Sequence, residues 1–165
     1  MGLLESEITG IERTFDIAAV NVVSNHPSIF PAICGGRKGP VDWSDHVSDR
    51  RNVFLAGEFG LAIFDPVQDG AYEMHIRVLP PGRGKWSIGF AIASVAWMFQ
   101  RPWVTMLVCR VPRGNYACRA LLRRCGCAQF ETTIAEGWLD EIGRPIEADV
   151  YSLTRERWIR INCDA

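Results

Sequence analysis

Hydrophobic residues recur along the chain with two different periods, which predict strands and helices in alternation. An apolar residue at every second position, or a short run of apolar residues, is typical of a strand, and one every three or four positions is typical of a helix. The predicted strands are 12–15, 53–57, 59–64, 72–79, 103–111, 130–139 and 146–153, with a turn at 65–70. The predicted helices are 16–23, 28–33, 42–48, 86–100 and 115–124.

The order of these elements predicts an α/β (α+β) fold in which helices pack on a mixed sheet. Hairpins near both ends of the chain would join neighbouring strands, and the other strands are separated by helices. No linker, repeat or low-complexity segment interrupts the pattern, so we expect one domain over residues 1–165. In the strand 72–79, alternation places Glu73, His75 and Arg77 on one face.

Charge is distributed unevenly, although the net charge is only −1. The stretch 74–130 contains no Asp or Glu, while nine of the 18 Lys and Arg residues lie in it. Such a stretch favours an anionic ligand, and a solvated basic face is the alternative interpretation.

Cysteine and histidine spacing argues against a metal site. The six cysteines include no C-x-x-C pair, and the three histidines are not near the closest pair, Cys125 and Cys127. We therefore expect no metal and reduced, mostly buried thiols. The chain also shows no secretory signal and no convincing apolar span, so we expect a cytoplasmic location and no membrane partner.

The segment Leu79–Ser87, LPPGRGKWS, is the clearest candidate binding feature. It leads from a strand into a long apolar helix, whose first amides have no partner within the helix and so favour a phosphate. Gly84 allows close approach of the backbone, and Arg83 and Lys85 would add charge-assisted contacts. A P-loop needs Ser or Thr after the lysine, and a Rossmann fingerprint needs glycine at position 87, so neither motif fits.

The same segment resembles the central motif of the GNAT superfamily of acyl-CoA-dependent N-acetyltransferases, which is a strand, a proline and R-G-x-G-x-G/A at a helix start. The matching residues are Pro80, Arg83, Gly84 and Lys85, and Trp86 and Ile88 replace the last two small residues. A second element of the family follows the strand 103–111, where Asn115 and Gly126 match. Leu122 stands where a tyrosine is expected. The motif form, together with the segment NHPSIFPAI, is most similar to members carried by bacteriophages.

The resemblance implies a fold, a cofactor and residues that bind it. The fold would be a mixed, mostly antiparallel sheet of six to seven strands flanked by helices and splayed between the fourth and fifth strands. Acetyl-CoA would bind at Val78, Arg83, Gly84, Lys85, Trp86, Ser87, Asn115 and Arg119. Other interpretations stay open, in which Gly84 is only a turn residue, Asn115 only caps a helix and Arg119 is only a solvated helix residue.

Transfer of an acetyl group to an amine requires a neutral amine, and therefore a group that accepts its proton. Glu73 and His75 are the candidate catalytic bases, and a solvated strand end and a satisfied core histidine are the alternatives. His26 lies at the bend after the first helix, where family members form a substrate wall, and it could equally cap that helix before Pro27.

The sequence therefore predicts direct transfer of an acetyl group from acetyl-CoA to an amine of a small molecule, a protein or a modified base, and it allows a homodimer. Location would be the cytoplasm, or the host cytoplasm for a phage protein. Two alternatives stay open. One is a catalytically inactive GNAT-fold phage protein with a structural or host-interaction role, and the other is a nucleic-acid binder that uses the basic stretch 74–130.

Overall fold

A computed structural model describes residues 10–34, 37–139 and 143–163 of the chain. Its strands are β1 (Glu12–Arg13), β2 (Val53–Gly57), β3 (Gly60–Gln68), β4 (Ala71–Val78), β5 (Met106–Pro112), β6 (Ala128–Leu139) and β7 (Pro145–Thr154). Its helices are α1 (Ile17–Ser24), α2 (Phe30–Ile33), α3 (Ser44–Ser48), α4 (Lys85–Phe99), α5 (Tyr116–Arg124) and α6 (Arg155–Cys163). A single 3₁₀ turn, Pro80–Gly82, precedes α4.

The seven strands form one sheet in the order β1-β2-β3-β4-β5-β7-β6. Every neighbouring pair is antiparallel except β4 and β5, which are parallel. A helix joins these two strands, as a parallel connection requires. The mixed, mostly antiparallel sheet that the resemblance implied is confirmed.

The β4–β5 pairing is short. It joins Ala71–Glu73 to Met106–Val108, whereas β4 continues to Val78 and β5 to Pro112. Among the described residues, the later parts of the two strands have no registered partner across this gap, so the sheet splays there. The expected splay between the fourth and fifth strands is confirmed, and the gap is called the cleft below.

Alternation along the strands gives the sheet two apolar faces. On one face, α4 packs against strands from both sides of the cleft, and the fully buried core includes Phe64, Phe90, Leu107 and Tyr151. On the other face, a smaller cluster forms beneath α1 and α3 around Val20, Val47, Phe54, Leu61 and Ile63. Full burial of one such side chain contributes about 1.5–3 kcal/mol, so both faces hold helices in place.

The structure differs from the expected elements at three places. The turn predicted at 65–70 is mostly strand, because β3 runs on to Gln68 and a bulge near Pro66 accommodates the proline in the ladder. The strand predicted from residue 103 begins at Met106, since the chain first passes through a turn at which Trp103 is 61% exposed. Helix α6 was not predicted at all. No helix in the described part of the chain has the length and apolar content to cross a membrane.

Candidate functional site

Glu73 and Arg110 mark the point at which the cleft opens. Glu73 is the last β4 residue paired with β5, and its Oε2 accepts a hydrogen bond of 2.7 Å from Nη2 of Arg110 on β5. The Glu73 side chain is only 14% exposed, whereas that of Arg110 is 53% exposed. The carboxylate therefore already has a cationic partner.

His75 lies two residues further along β4, beside the opened part of the sheet. Its Nε2 is 3.2 Å from Oδ2 of Asp65, which lies diagonally across on β3. The imidazole is 40% exposed. Its other ring nitrogen, Nδ1, has no hydrogen-bond partner among the described residues. His75 is thus the less committed of the two predicted bases.

Asp65 binds a second histidine as well. Nε2 of His46, on α3, lies 2.7 Å from the other carboxylate oxygen, Oδ1. Two elements far apart in sequence therefore meet at one carboxylate on β3. We call His46, Asp65 and His75 the Asp65 cluster.

The pKa values of Asp65 and His46 follow from these contacts. Burial disfavours the charged form of Asp65, but hydrogen bonds from His46 and His75 outweigh it and lower the pKa of the carboxyl group below its usual value. The hydrogen bond to Asp65 raises the pKa of His46, although partial burial acts in the opposite direction. Asp65 is therefore an anion over the whole physiological range.

Arg77 completes the polar row that the alternation of β4 predicted. Unlike Glu73 and His75, it is 95% buried, and its guanidinium lies 4.0 Å from the ring centroid of Trp43 and donates to Ser24 of α1. Burial lowers the pKa of Arg77 to about 10, and the charge of Asp65 partly offsets this. Arg77 therefore stays charged and anchors α1 and the segment before α3 to the sheet.

The turn that was predicted to bind phosphate, called the phosphate turn below, lies at the start of α4, and phosphate binding there stays a prediction. Gly84 is the N-cap residue with φ +102°, a conformation that side-chain-bearing residues rarely adopt, and a Cβ there would meet nothing within 4 Å. The backbone is therefore open to solvent at a helix start whose first amides lack partners within the helix. Lys85 is exposed, and the Ser87 hydroxyl donates to Gly84 O at 2.7 Å.

Trp86 fixes the direction in which α4 leaves this turn. Its indole stacks on Phe90 with centroids 4.7 Å apart and meets Phe59 edge-on at 5.4 Å. A Cβ on Gly82 would lie 2.5 Å from the Cβ of Phe59, so only glycine fits under this aromatic group. Gly82 is thus needed for packing, whereas Gly84 is needed for its backbone conformation.

Arg83 and His26 connect the phosphate turn to the segment between α1 and α2. Nη2 of Arg83 donates to Ser28 O at 3.1 Å. The His26 ring accepts from the Ser28 amide through Nδ1 at 3.2 Å, and the Ser28 hydroxyl lies 2.8 Å from the same nitrogen. His26 therefore caps the bend before Pro27, and its predicted contact with substrate stays a prediction.

The start of α5 carries the other two predicted cofactor residues. Asn115 caps the helix, since its Oδ1 accepts from the Cys118 amide at 3.1 Å. Arg119 lies one turn later, where Nη2 is 3.1 Å from Oδ2 of the buried Asp149 and Nε donates to the Tyr151 hydroxyl at 3.3 Å. Both side chains have intramolecular partners, so their predicted contacts with acetyl-CoA stay predictions.

An open groove of about 750 Å³ lies at the other end of β4, between Tyr72, Val67 and Trp103. It is separate from the cleft, because Tyr72 belongs to the paired start of β4 and Val78 to its open end. Among the described residues, no cluster of His, Cys, Asp and Glu has the geometry to hold a metal ion.

Comparison with known proteins finds solved structures with a similar fold but no curated protein with a similar sequence. No family model and no curated protein sequence matches the chain. The structure is similar to that of spermidine N-acetyltransferase from Vibrio cholerae in complex with CoA and spermine. The TM-score is 0.75 at 13% identity, over 90% of this chain and 96% of that one. A SpeG chimera that includes the Vibrio cholerae enzyme matches with a TM-score of 0.74 at 12% identity, over 92% and 99% of the two chains.

The chain has the GNAT fold. The parallel β4–β5 pair, the splay beyond it and the turn into α4 are the parts of that fold at which the sequence placed its candidate residues. At 12–13% identity the likeness establishes the fold and leaves activity to be argued from the site.

The structure also adds residues that the sequence did not single out. Asp65 was assigned to a turn, His46 to an unremarkable short helix, and Arg110 only to the basic stretch. Asp65 could have been found from the pairing of β3 with β4, which sets it opposite Glu73. No local signal marks His46, because its contact depends on where α3 packs.

Proposed function

We propose that the protein is an acyl-CoA-dependent N-acetyltransferase, which moves the acetyl group of acetyl-CoA to an amine by direct transfer. The observation that carries the proposal is the alignment of the open β4–β5 cleft with an anion-favouring helix start, at the end of β4. The turn and β5 belong to the stretch 74–130, which contains no carboxylate. The structural neighbour crystallised with CoA and spermine supports the same interpretation.

The residues of the turn fit a pyrophosphate group. In the proposal, the amides of the segment 83–87 donate to it, Gly84 keeps the approach free of side chains, and Lys85 adds a cation from the exposed side. Val78, the last residue of β4, would offer its main chain to the pantetheine arm along the cleft. Asn115 and Arg119 would lie along the far wall on α5.

The acetyl transfer needs one proton acceptor. The amine nitrogen attacks the thioester carbonyl, the C–S bond breaks, and CoA leaves as a thiolate with an ordinary thiol pKa of about 8.5, which water can protonate. We assign the base to His75 in preference to Glu73, because Glu73 is paired with Arg110 and His75 has a ring nitrogen with no partner among the residues that the structure describes. Positioning of the two substrates would supply about 7–11 kcal/mol of the barrier reduction.

The proposed acceptor is an amine of a small molecule, a protein or a modified base. The neighbours acetylate spermidine, a polycation, which carboxylates would have to bind. No Asp or Glu occurs between Asp16 and Asp42, the stretch that contains α1 and α2, and the nearby Arg83 adds positive charge. An acceptor screen therefore needs monoamines, amino acids and peptides beside the polyamines.

Acetyl-CoA titration into the purified protein tests the binding step. Arg83→Glu and Lys85→Glu should each weaken acetyl-CoA affinity by about tenfold or more, since each reverses a charge beside the pyrophosphate. Arg160→Glu makes the same charge change on the exposed face of α6 and is the matched control. Unchanged affinity in folded Lys85→Glu would place the cofactor elsewhere.

An assay of catalytic turnover then distinguishes an active acetyltransferase from a catalytically inactive protein with the same fold. Thiol release with a pooled amine library should be detectable in the wild type and should fall by about 100-fold or more in His75→Ala, the usual range for loss of a general base. Binding of acetyl-CoA without turnover on any amine would instead support the alternative of a catalytically inactive GNAT-fold phage protein with a structural or host-interaction role.

A further inference from the structure

The Asp65 cluster is more than the proposed reaction requires, because a single exposed histidine is sufficient to accept a proton. His75 does not stand alone, however. Its Nε2 faces Oδ2 of Asp65, and the opposite oxygen of that carboxylate is held by His46 at 2.7 Å.

The contacts around His46 show that its position is fixed by the fold. Its ring lies edge-on to Trp43 and Phe54, with centroids 5.5 and 5.7 Å away, and its main-chain carbonyl accepts a 2.8 Å hydrogen bond from Asn52. These contacts lie beside a ring whose Nε2 is directed at Oδ1 of Asp65. The carboxylate is in turn held at one orientation on β3.

A hydrogen bond at one nitrogen of an imidazole decides which nitrogen carries the proton in the neutral ring. Asp65 is ionised and can only accept, so the 3.2 Å approach of His75 Nε2 to Oδ2 favours the tautomer that carries its proton on Nε2. The neutral ring then has its lone pair on Nδ1, which has no described partner. This is the nitrogen available to a substrate.

We propose that Asp65 is a positioning residue, which holds His75 in the Nε2–H form so that Nδ1 receives the proton of the attacking amine, and that His46 keeps Asp65 in place. The proton transfer from the amine rests on the proposed function. The tautomer assigned to His75 does not, because it is set by Asp65 in the protein without substrate. When the proton moves from the amine to Nδ1, the imidazolium lies beside a carboxylate that stabilises its charge. Water takes the proton after the product leaves.

Charged groups around the cluster are compatible with this role. Arg77 on β4 and Asp49 after α3 act on His46 in opposite directions, and Arg77 also acts on Asp65. Glu73 is the direct cross-strand partner of Asp65, and its carboxylate forms an ion pair with Arg110. Asp65 is therefore the carboxylate whose charge is available to His75.

A double-mutant cycle with Asp65→Asn and His75→Ala is the kinetic test. Asp65→Asn should lower kcat by about tenfold or more while the acetyl-CoA Kd changes by less than about twofold. In the His75→Ala background the same substitution should change kcat by less than about twofold, because Asp65 acts through His75. The control is Asp69→Asn, an equal change at an exposed carboxylate in the next turn.

Ring-nitrogen NMR of the wild type and Asp65→Asn tests the assigned tautomer independently of turnover. The His75 signals should show protonated Nε2 and unprotonated Nδ1 in the neutral wild-type ring, and a mixture of tautomers in the variant. A wild-type ring protonated at Nδ1, or an Asp65→Asn loss of kcat that persists in full without His75, would overturn the inference. If no amine is acetylated, the proposed function fails, and the NMR result still decides whether Asp65 fixes the ring.

Discussion

Leu122 determines whether the protein has a side chain that could protonate the leaving thiolate of the proposed reaction. It is 2% exposed and belongs to the main core, on the face of α5 that packs against the sheet. The resemblance to GNAT enzymes places a tyrosine hydroxyl at this position, and leucine cannot donate a proton. Its role here is to fill the core, so in the proposed reaction water would protonate the departing thiolate.

Leu122→Tyr should therefore destabilise the protein by about 1–3 kcal/mol through overpacking, without any gain in turnover. Ala120→Tyr, at an exposed position of the same helix, should change the free energy of unfolding by less than about 0.5 kcal/mol. Urea unfolding and thiol-release assays measure both effects. If Leu122→Tyr creates activity in an otherwise inert protein, the natural chain is a binding protein that has lost its acid.

At the same scale, the sequence singled out one of the three residues of the Asp65 cluster. His75 stood out because alternation along one strand is a local property that places it beside Glu73. Asp65 and His46 did not, because an Asp followed by Pro is typical of a turn and the β3–β4 register overrides that preference. Contacts between separate elements are set by packing, which a single sequence does not display.

Helix α6 is the element that most clearly depends on the rest of the fold. Its sequence, RERWIRINC, contains four charged residues, but Trp158 and Ile161 lie three positions apart and both pack against the core. That spacing was the available signal, and the surrounding charges obscured it. By contrast, α4 was predicted within one residue at each end, because it is apolar along its whole length.

Arg155 anchors α6 at its first residue. Its guanidinium donates to Val104 O at 2.8 Å and Phe99 O at 2.7 Å, and also to Arg101 O, which closes the connection between α4 and β5. One side chain thus donates hydrogen bonds to three backbone carbonyls in the connection between α4 and β5.

Arg155→Lys should destabilise the protein by about 2–4 kcal/mol, because an ammonium cannot reproduce the fork and leaves carbonyls without donors. Arg160→Lys, further along the same helix and exposed, is the control and should be nearly neutral. Chemical denaturation gives both values. Equal stabilities of the two variants would show that α6 is held by its apolar face alone.

For the whole molecule, the Asp65 cluster links stability to pH. The native pKa of His46 is raised by Asp65, so its contribution is complete below the unfolded value of about 6.5 and is lost as pH rises through the native pKa. The native pKa of Asp65 is lowered by the two histidines, so its contribution is complete above about 3.9 and is lost as pH falls through the native pKa. The cluster should stabilise the fold most between about pH 4 and 6.5.

His46→Gln should accordingly remove stability at pH 6 and remove less at pH 9. Urea unfolding of the variant and the wild type across this range gives the difference directly. His26→Gln is the control, because that ring contacts Ser28 rather than a carboxylate. Parallel stability curves for the wild type and His46→Gln would contradict the linkage.

The three-residue pairing of β4 with β5 has a consequence for how ligands can be found. Strands β1–β4 and β5–β7 share this short ladder, and beyond it the two halves of the sheet are held mainly by the core beneath α4. A ligand seated in the gap would touch both halves, and at a free concentration of 100 times its Kd it would add about 2.7 kcal/mol to the unfolding free energy. A rise in melting temperature therefore reports that a ligand occupies the cleft, so the proposed acyl donor and amine can be sought in a mixture of compounds before any product is measured.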